Sequence, residues 1–408
     1  MGKILFLSPT LDPQAVGETR ISFDIASALA EKAELLIITQ TPPNRSFKVR
    51  DLFPNSEVIE FPPLDFTFLP ARLNALVKPN YFKFMWDAEK AIRDRVVEGD
   101  IVCAHHFGPT ALRYPSPLRK HPIPYIIGPL GGSLPTPKSL AVGKSSYPWY
   151  YSLRNADALR FRVDPWLRST YENASCLVGV APYVEKVLSG INLKRFVSCP
   201  EVAAPSSVDD IDAVIDKRYS RSGATNYLVV SRLVHSKGVH AAIDAAARVK
   251  EKVQSFRLDI LGDGPERSNL EQRVIDFGLE EYVRFHGHVP RSEVDAFYRN
   301  ADVFLFPSFR EPSGVVVFEA MSWGLPIVAA DYGGPEASVT DEIGMKCRIE
   351  SYKTFTDDLT HAMLELASNP EIRSQKGQAS LRSAITTHSM RSRVEFFCNL
   401  YRQISSVS

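Results

Sequence analysis

The sequence is poor in the features that identify several common classes of protein. Its formal net charge is only +1, which argues against a dedicated nucleic-acid binder. No run of residues approaches the roughly 18 consecutive apolar side chains that a membrane-spanning helix needs. The opening stretch MGKILFLSPT is too short and turns polar too quickly to be a signal peptide. We therefore expect a cytoplasmic protein with no nucleic-acid partner and no membrane span.

Cysteine is also scarce. The five Cys residues are scattered, mostly within apolar runs, and this pattern is typical of reduced, buried thiols rather than of a disulfide framework. No spacing of Cys and His resembles a zinc site, so the sequence predicts no structural metal. What remains is a chain of 408 residues with 44% hydrophobic and 23% charged side chains. Such a chain is long enough for two globular domains, each with its own core.

Short apolar runs alternate with helical stretches along the whole chain, which predicts parallel sheets built from β-α-β units. The predicted strands of the first half are KILFLS, ELLIIT, VIEF, DIVCAH, PYIIG and SCLVGV; those of the second half are NYLVVS, RLDILG, VRFHG, DVFLF, PIVAA and KCRIE. A polar segment, residues 204–226, separates the two sets and is predicted to connect two domains. Sheets of this kind bind ligands beyond the carboxyl ends of their strands. The loops that follow the strands are therefore where we expect site residues.

Residues 306–336 are predicted to form a strand, a loop, a helix and a second strand. The helix N terminus offers free amide groups and a positive dipole end to a phosphate, and Gly314 allows an anion to approach closely. On one helix Glu311 and Glu319 would lie roughly 12 Å apart, whereas the carboxyl pair of a retaining hydrolase is about 5–5.5 Å apart. We interpret them as holding two ends of one elongated ligand. The alternative is two solvated surface glutamates.

Cations and histidines follow other predicted strands. Arg232 lies at the end of NYLVVS and Lys237 at the start of the next helix, where two fixed positive charges suit a departing anion without a metal. In the first half, His105 and His106 lie at the carboxyl end of the strand that begins DIVCAH, and Gly17 precedes a helix. A histidine inside a sheet is usually a core residue, but a pair at a strand end is less easily explained by packing. Gly17 is equally consistent with an ordinary turn.

The segment EPSGVVVFEA resembles the E-x7-E element of retaining glycosyltransferases of family 4, and Arg232, Lys237 and Gly238 resemble the Arg-x4-Lys-Gly element of that family. The resemblance covers essentially the whole chain. It implies the GT-B fold, in which two Rossmann-like α/β domains with parallel sheets face each other across a cleft.

The resemblance also implies a domain division. Residues 1–205 would form the acceptor-binding domain, residues 206–385 the nucleotide-sugar-binding domain, and residues 386–408 a C-terminal helix that returns to the first domain. By the same resemblance the catalytic residues are His105 and Glu311, and the donor-binding residues are Gly17, Arg232, Lys237, Val289, Gly314, Val315, Val316 and Glu319. No metal ligand is implied.

Each of these residues would have a distinct role. Glu319 would bind the ribose hydroxyls, and the Val289 backbone would read the base. The amides of residues 314–316 would bind the diphosphate, with Arg232 and Lys237 stabilising the leaving group.

Glu311 would hold the donor sugar by its hydroxyls. His105 would approach the same sugar from the other domain, by donating a hydrogen bond or by steadying developing charge.

The implied reaction transfers a sugar, with retention of configuration, from a nucleotide sugar such as UDP- or GDP-hexose to a hydroxyl of a glycan or lipid-linked acceptor. It needs no cofactor, and it would serve bacterial glycan, polysaccharide or glycolipid assembly. Two alternatives remain open. One is a GT-B epimerase or hydrolase that acts on the sugar nucleotide alone, and the other is a non-catalytic protein that keeps the fold as a scaffold.

Residues 113–168 are unusually basic and aromatic, with nine Lys and Arg side chains and only two Asp. A solvated surface is one interpretation of this composition. The other is a patch that contacts an anionic acceptor or an anionic membrane surface. The second interpretation predicts a peripheral association with the inner face of a membrane.

Overall fold

The computed structural model describes residues 2–43, 45–64, 79–96, 99–140, 157–205, 211–219, 223–253 and 255–406. The chain divides into two compact units. The first unit comprises Met1–Ser133, Tyr147–Glu201 and Arg393–Ser408, and the second comprises Leu134–Ser146 and Val202–Ser392. The sequence predicted residues 134–140 to belong to the first domain, whereas their contacts group them with the second unit.

The first unit is built on a seven-stranded parallel sheet. Its strands are β1 (Lys3–Thr10), β2 (Leu35–Gln40), β3 (Glu57–Phe61), β4 (Ile101–His106), β5 (Tyr125–Leu130), β6 (Cys176–Gly179) and β7 (Phe196–Ser198), in the order β3-β2-β1-β4-β5-β6-β7. The α-helices of this unit are Glu18–Ala30, Val49–Leu52, Pro79–Val96, Asp157–Val163, Pro165–Asn173 and Tyr183–Val187, together with most of Met390–Ser405. All six strands predicted for the first half are present. The sequence did not predict β7, whose three residues are too few for a periodic signal.

The central strand of this sheet shows why the apolar runs form strands. β1 lies between β2 and β4, with Phe6 opposite Ile37 on one side and His105 on the other. Leu5, Phe6 and Leu7 are all fully buried, because helices cover both faces of a parallel sheet. A continuous apolar run therefore replaces the alternating pattern of a half-exposed strand.

The second unit is built on a six-stranded parallel sheet. Its strands are β8 (Thr225–Val230), β9 (Phe256–Leu261), β10 (Val283–Gly287), β11 (Val303–Phe306), β12 (Ile327–Ala330) and β13 (Gly344–Cys347), in the order β10-β9-β8-β11-β12-β13. The helices are Ile211–Tyr219, Val239–Lys250, Arg267–Asp276, Arg291–Asn300, Val315–Ser322, Gly334–Ser338, Tyr352–Ser368 and Pro370–Thr386. All six predicted strands are present, although β13 ends earlier than the run KCRIE.

The core of the second unit has two layers, one on each face of its sheet. Side chains alternate between them along each strand, since successive residues of a strand point to opposite faces. Tyr227 and Val229 of β8 lie in one layer, and Leu228 lies in the other. Phe304 and Phe306 of β11 lie in the same layer as Leu228.

The segment predicted as a connection, residues 204–226, contains a helix, Ile211–Tyr219, that packs within the second unit. Arg218 is buried, and its guanidinium donates to the carbonyl oxygens of Trp323 at 2.6 Å and Tyr298 at 3.1 Å. Burying an arginine is tolerated here because several carbonyl oxygens accept its N–H groups. The sequence predicted a connection here and no helix, although Ile211, Ile215 and Tyr219 recur at helical spacing.

Among the helices in the described part of the chain, none combines the length and the apolar character that crossing a membrane requires.

Candidate functional site

The site predicted in the second half of the chain lies where β8 and β11 lie side by side. β8 is flanked by β9 and β11, so the chain leaves these two neighbouring central strands toward opposite edges of the sheet. Such a reversal leaves a crevice beyond the carboxyl ends of the two strands, which is where open α/β sheets bind ligands. The loop after β8 carries Arg232 and Lys237, and the loop after β11 carries Glu311.

Gly238 allows these two loops to touch. Its φ is 67°, in the left-handed region that favours glycine. A Cβ atom at this position would lie only 2.0 Å from the carbonyl oxygen of Pro307. The close approach is reinforced by the Ser308 hydroxyl, which donates to the Ser236 carbonyl at 3.4 Å. The backbone therefore fixes Lys237 against the end of β11.

Lys237 and Glu311 form an ion pair through Nζ and Oε2. Each side chain is 17% exposed, so the pair lies at the edge of solvent rather than in the core. The ammonium group is also 6.0 Å from the ring centroid of Phe306 at the end of β11. The structure thus brings together two of the predicted site residues, one from each loop.

Arg232 is exposed and belongs to the same loop as Lys237. Within the described part of the chain, its guanidinium has no hydrogen-bond or ion-pair partner. Its backbone is ordered by Val234, whose amide donates to the Arg232 carbonyl at 2.9 Å. This loop therefore supplies one unpaired positive charge and one paired positive charge.

The helix Val315–Ser322 begins at Gly314, whose φ is 87°. The first amide of the turn to donate within the helix is that of Val317, to the Gly314 carbonyl at 2.9 Å. The amides of Val315 and Val316 precede it, as the unsatisfied donors at a helix N terminus do. The predicted anion-binding geometry is present: a left-handed glycine followed by amides that the helix does not use.

A second pair of glycines supports the loop between Glu311 and Gly314. The amide of Gly334 donates to the Glu311 carbonyl at 2.9 Å. A Cβ atom at Gly333 would lie 2.4 Å from that same oxygen, and one at Gly334 would lie 2.5 Å from the Ser313 carbonyl oxygen. The sequence analysis did not assign these glycines a role, although the run YGGPE follows a strand as the other site loops do.

Glu319 lies in the second turn of the helix, and one of its carboxylate oxygens makes both a hydrogen bond and an ion pair. The Tyr298 hydroxyl donates to its Oε2 at 2.9 Å, and Arg291 Nη1 lies 3.0 Å from the same atom. Neither Tyr298 nor Arg291 was predicted from the sequence to contact Glu319. The available signal was their spacing of seven residues, which places Arg291 and Tyr298 on one face of a helix.

Val289 follows β10 and precedes the helix Arg291–Asn300. It is partly buried and packs against the core layer that contains Tyr298 and Phe304. Arg291, two residues later, contacts Glu319. The loop that carries Val289 therefore leads directly into the helix that contacts the second predicted glutamate.

Residues 134–140, from the first half of the sequence, contact the loops next to Glu311 in the second unit. Arg310 donates to the Leu134 carbonyl at 3.3 Å, and the Tyr332 hydroxyl donates to the Pro135 carbonyl at 3.0 Å. Leu140 is buried in the core of the unit. These contacts flank Glu311 on both sides, at Arg310 and at the loop after β12. No local pattern in the sequence indicated them.

In the first unit, Gly17 begins the helix Glu18–Ala30 with a φ of 69°. A Cβ atom there would meet nothing within 4 Å. The neighbouring Val16 is almost fully exposed. Gly17 is thus a left-handed helix start at an open surface, with no packing partner that requires glycine.

The structure places His105 in the interior of the first unit. It is fully buried, and its Nε2 donates to the Gly128 carbonyl at 2.8 Å. Because a neutral imidazole has one N–H, Nδ1 accepts from the Tyr401 hydroxyl at 2.6 Å. Burial lowers the pKa of His105 to about 4. Both ring nitrogens are engaged, and this geometry does not support the predicted role at the donor sugar.

His106, the alternative to His105, is also buried. Its ring stacks on that of Tyr81, with centroids 6.4 Å apart. Burial, and after it the neighbouring His105, lowers the pKa of His106 to about 3. The histidine pair is therefore neutral at physiological pH and belongs to the core.

Part of the basic region 113–168 is described, and several of its cations are paired. Arg119 is buried, with Nη2 3.3 Å from Glu89 Oε2 and its guanidinium 5.0 Å from the Trp166 ring centroid. Arg160 pairs with Asp164 at 3.1 Å. Tyr147, Trp149, Tyr150, Tyr151 and Arg154 lie outside the described residues. The membrane or acceptor patch remains a prediction.

Among the residues that the structure describes, no group of three or more His, Cys, Asp or Glu side chains is arranged to hold a metal ion.

Comparisons with known proteins show that this chain is similar to glycosyltransferases. Residues 210–381 match the family described as Glycosyl transferases group 1. The putative colanic acid biosynthesis glycosyltransferase WcaL of Escherichia coli is 38% identical over 162 residues, covering 38% of this chain and 36% of that protein. The GDP-mannose-dependent alpha-(1-6)-phosphatidylinositol monomannoside mannosyltransferase of Mycolicibacterium smegmatis is 28% identical over 246 residues, covering 59% and 60%. The chain thus spans less than two thirds of either relative.

The solved structure of Anabaena Alr3699/HepE in complex with UDP and glucose is similar over 98% of this chain and 99% of its own, with a TM-score of 0.59 and 17% identity. At this level of identity the likeness concerns the fold. It confirms the predicted GT-B class, with two units that each contain a parallel sheet. The glycosyl transferases group 1 match lies within the second unit, which carries the candidate site.

Proposed function

We propose that this protein is a retaining glycosyltransferase of family 4 that transfers a sugar from a nucleotide sugar to a hydroxyl acceptor. The observation that carries the proposal is the arrangement at the carboxyl ends of β8 and β11. Lys237, Glu311 and the helix N terminus at Val315 meet there, and Glu319 lies one turn further along that helix. Cations, an anion-binding helix start and two carboxylates are the groups that a sugar linked to a nucleoside diphosphate requires.

The diphosphate would lie against the start of the helix Val315–Ser322. The amides of Gly314, Val315 and Val316 would donate to phosphate oxygens, which the positive end of the helix dipole also favours. Arg232 and Lys237 would stabilise the negative charge that grows on the leaving group as the glycosidic bond breaks. These cations supply charge that a metal ion provides in other transferases, so we propose a metal-independent reaction without a cofactor.

Glu311 would hold the donor sugar by its hydroxyls, next to the breaking bond. The ion pair with Lys237 gives this carboxylate a partner before the donor binds. On binding, the phosphates would attract the ammonium group, and the sugar hydroxyls would replace it at the carboxylate. The exchange avoids leaving either partly buried charge without a partner.

The nucleoside would occupy the other end of the site. Glu319 would accept from the ribose hydroxyls, and the backbone at Val289 would read the base. Gly17 would contact donor phosphate or acceptor through the first unit. We do not retain His105 as a catalytic residue, since both of its ring nitrogens already have partners in the core.

A glycan or lipid-linked acceptor is supported by the names of the relatives, which include a colanic acid glycosyltransferase and a phosphatidylinositol monomannoside mannosyltransferase. A role in bacterial polysaccharide or glycolipid assembly is therefore proposed. A cytoplasmic location, with peripheral association at the inner face of an anionic membrane, stays a prediction. The identity of the donor, UDP- or GDP-hexose, also stays a prediction.

The test of donor binding is a thermal-shift panel with UDP, GDP, ADP and TDP, using Glu319→Gln as the matched control. A ligand that binds only the folded state at 100 times its Kd adds about 2.7 kcal/mol of stability. We expect one nucleotide to raise the Tm of the wild type clearly more than it raises the Tm of the variant. No shift with any nucleotide would favour the scaffold alternative.

The test of reaction type uses the nucleotide sugar of the base so identified, followed by NMR. Incubation with a hydroxyl acceptor should give a glycoside with the anomeric configuration of the donor. An inverted product would contradict retention. Consumption of the donor at the same rate without any acceptor would favour the epimerase or hydrolase alternative.

A further inference from the structure

The face of the helix Arg291–Asn300 that points to Glu319 carries two hydrogen-bond donors that no assigned role explains. Arg291 and Tyr298 are seven residues apart, about two helical turns, and both reach the same carboxylate oxygen. Tyr298 Oη is 2.9 Å from Glu319 Oε2, and Arg291 Nη1 is 3.0 Å from it. Among the described residues none donates to the other oxygen, Oε1.

The two donors differ in how firmly they are held. Tyr298 is fully buried, its ring packs 5.8 Å from that of Phe304, and it belongs to the core layer beneath the site. Its hydroxyl therefore has one fixed position. The Arg291 side chain is 61% exposed and lies at the first turn of its helix, so solvent competes for its N–H groups.

Glu319 therefore has one carboxylate oxygen, Oε2, with partners and one, Oε1, that accepts no hydrogen bond from the described residues. Oε2 already accepts the hydrogen bond of the Tyr298 hydroxyl and is paired with the Arg291 guanidinium. Oε1 retains its full capacity, on a side chain that is 17% exposed. Burial, and after it the adjacent Glu319 charge, raises the pKa of Tyr298 well above its usual value, so this hydroxyl stays a donor.

We propose that Tyr298 is a positioning residue that orients Glu319 so that Oε1 accepts the vicinal hydroxyls of a ribose, which makes the site selective for ribonucleotides over deoxyribonucleotides. This inference rests on the proposed function, in which Glu319 faces the nucleoside. Arg291 is a replaceable counter-ion of the same carboxylate and contributes little to the selectivity.

Isothermal titration calorimetry tests this with UDP and 2′-deoxy-UDP, or with GDP and 2′-deoxy-GDP, according to the base that stabilises the wild type. The readout is the ratio of the two Kd values. In the wild type the ribonucleotide should bind about tenfold tighter or more, because a hydrogen bond to a charged group is lost with the 2′-hydroxyl. Tyr298→Phe keeps the ring and should reduce the ratio to below about threefold.

Two control variants separate positioning from other effects. Glu319→Gln should bring the ratio close to one. Arg291→Ala should leave it within about threefold of the wild-type ratio, since an exposed ion pair contributes little. Thermal unfolding of Tyr298→Phe without nucleotide checks that the variant folds.

The contrary outcomes are distinct. If Tyr298→Phe weakens both nucleotides equally and keeps the wild-type ratio, Tyr298 acts only on the structure and the inference is wrong. If the wild type does not discriminate, or if Glu319→Gln still discriminates, the assignment of Glu319 to the ribose is itself wrong. If no nucleotide binds, the proposed function fails at an earlier step.

Discussion

The sheets of the two units have the same strand order, apart from the additional strand β7 of the first unit. They differ in the side chains at the carboxyl ends of their two central strands. In the first sheet, β1 and β4 are the central pair, and the polar residues at the end of β4 are His105 and His106, both buried and neutral. In the second sheet, β8 and β11 are the central pair, and the loops after them carry Lys237 and Glu311, both charged and partly exposed. A doubly wound sheet creates a crevice, but only the side chains beyond the strands decide its chemistry.

The glycines that begin a helix after the first strand of each sheet show the same contrast. Gly238 packs on the Pro307 carbonyl and draws two loops together. Gly17 has a similar φ but has nothing around its missing Cβ. In the second unit, glycine is thus required for the close packing of two loops, whereas packing in the first unit does not require Gly17.

The strongest test of this difference between the units compares Glu311, which follows β11, with His105, which lies at the end of β4. Glu311→Gln should lower the rate of sugar transfer by about 10²–10³-fold, because a carboxylate beside the developing charge is replaced by a neutral amide. Nucleotide binding should change little, since the ribose and the diphosphate contact other residues. Steady-state kinetics and a thermal shift with the nucleoside diphosphate measure the two effects. Equal loss of both would contradict the division of roles.

The matched variant is His105→Gln, in which an amide replaces the buried ring. If His105 belongs to the core, transfer by the folded variant should stay within a few-fold of wild type at a temperature well below its Tm. A loss of 100-fold or more in a protein with an unchanged nucleotide shift would restore the catalytic role that the sequence predicted.

The next largest effect concerns packing. Gly238→Ala should reduce the free energy of unfolding by about 3 kcal/mol or more, because strain in the left-handed region adds to an overlap with Pro307. Gly17→Ala has only the backbone strain, of about 1 kcal/mol. Denaturant unfolding followed by circular dichroism measures both variants. Equal losses would mean that the close approach at Gly238 relaxes without penalty.

A further difference between the units is a pH dependence of stability that arises in the first unit. The pKa of His105 is about 4 and that of His106 about 3 in the folded protein, against about 6.5 when unfolded. Between these values the unfolded chain binds protons that the folded chain does not, so stability falls as the pH drops below 6.5. Each histidine contributes a slope of up to about 1.4 kcal/mol per pH unit.

His105→Gln should therefore reduce the slope of unfolding free energy between pH 6 and pH 4.5 by up to one proton equivalent, although the variant is less stable at pH 7. Denaturant titrations at several pH values provide the measurement. An unchanged slope would indicate that the His105 ring takes up protons in the folded state, and hence that solvent reaches it.

Much of this protein follows from the sequence alone. The apolar runs predicted every strand of both sheets except β7, because strands buried on both faces need continuous apolar residues. The order of strands, loops and helices also placed the candidate residues after β8 and β11, since Arg232 and Lys237 are close in sequence, as are Glu311 and Glu319. Gly314 was assigned for the same reason: its left-handed conformation is required by the helix start that follows it.

Only the tertiary structure decided which of these residues meet and which do not. His105 lies at the end of β4, and its burial and its contact with the distant Tyr401 make it a core residue. Tyr298 and the segment that contains Leu134 reach the site through contacts that no local pattern encodes. The same holds for the helix Ile211–Tyr219, whose buried Arg218 donates to carbonyl oxygens far along the chain. Periodicity reports which face of an element is apolar, whereas partners distant in sequence are fixed only when the elements pack.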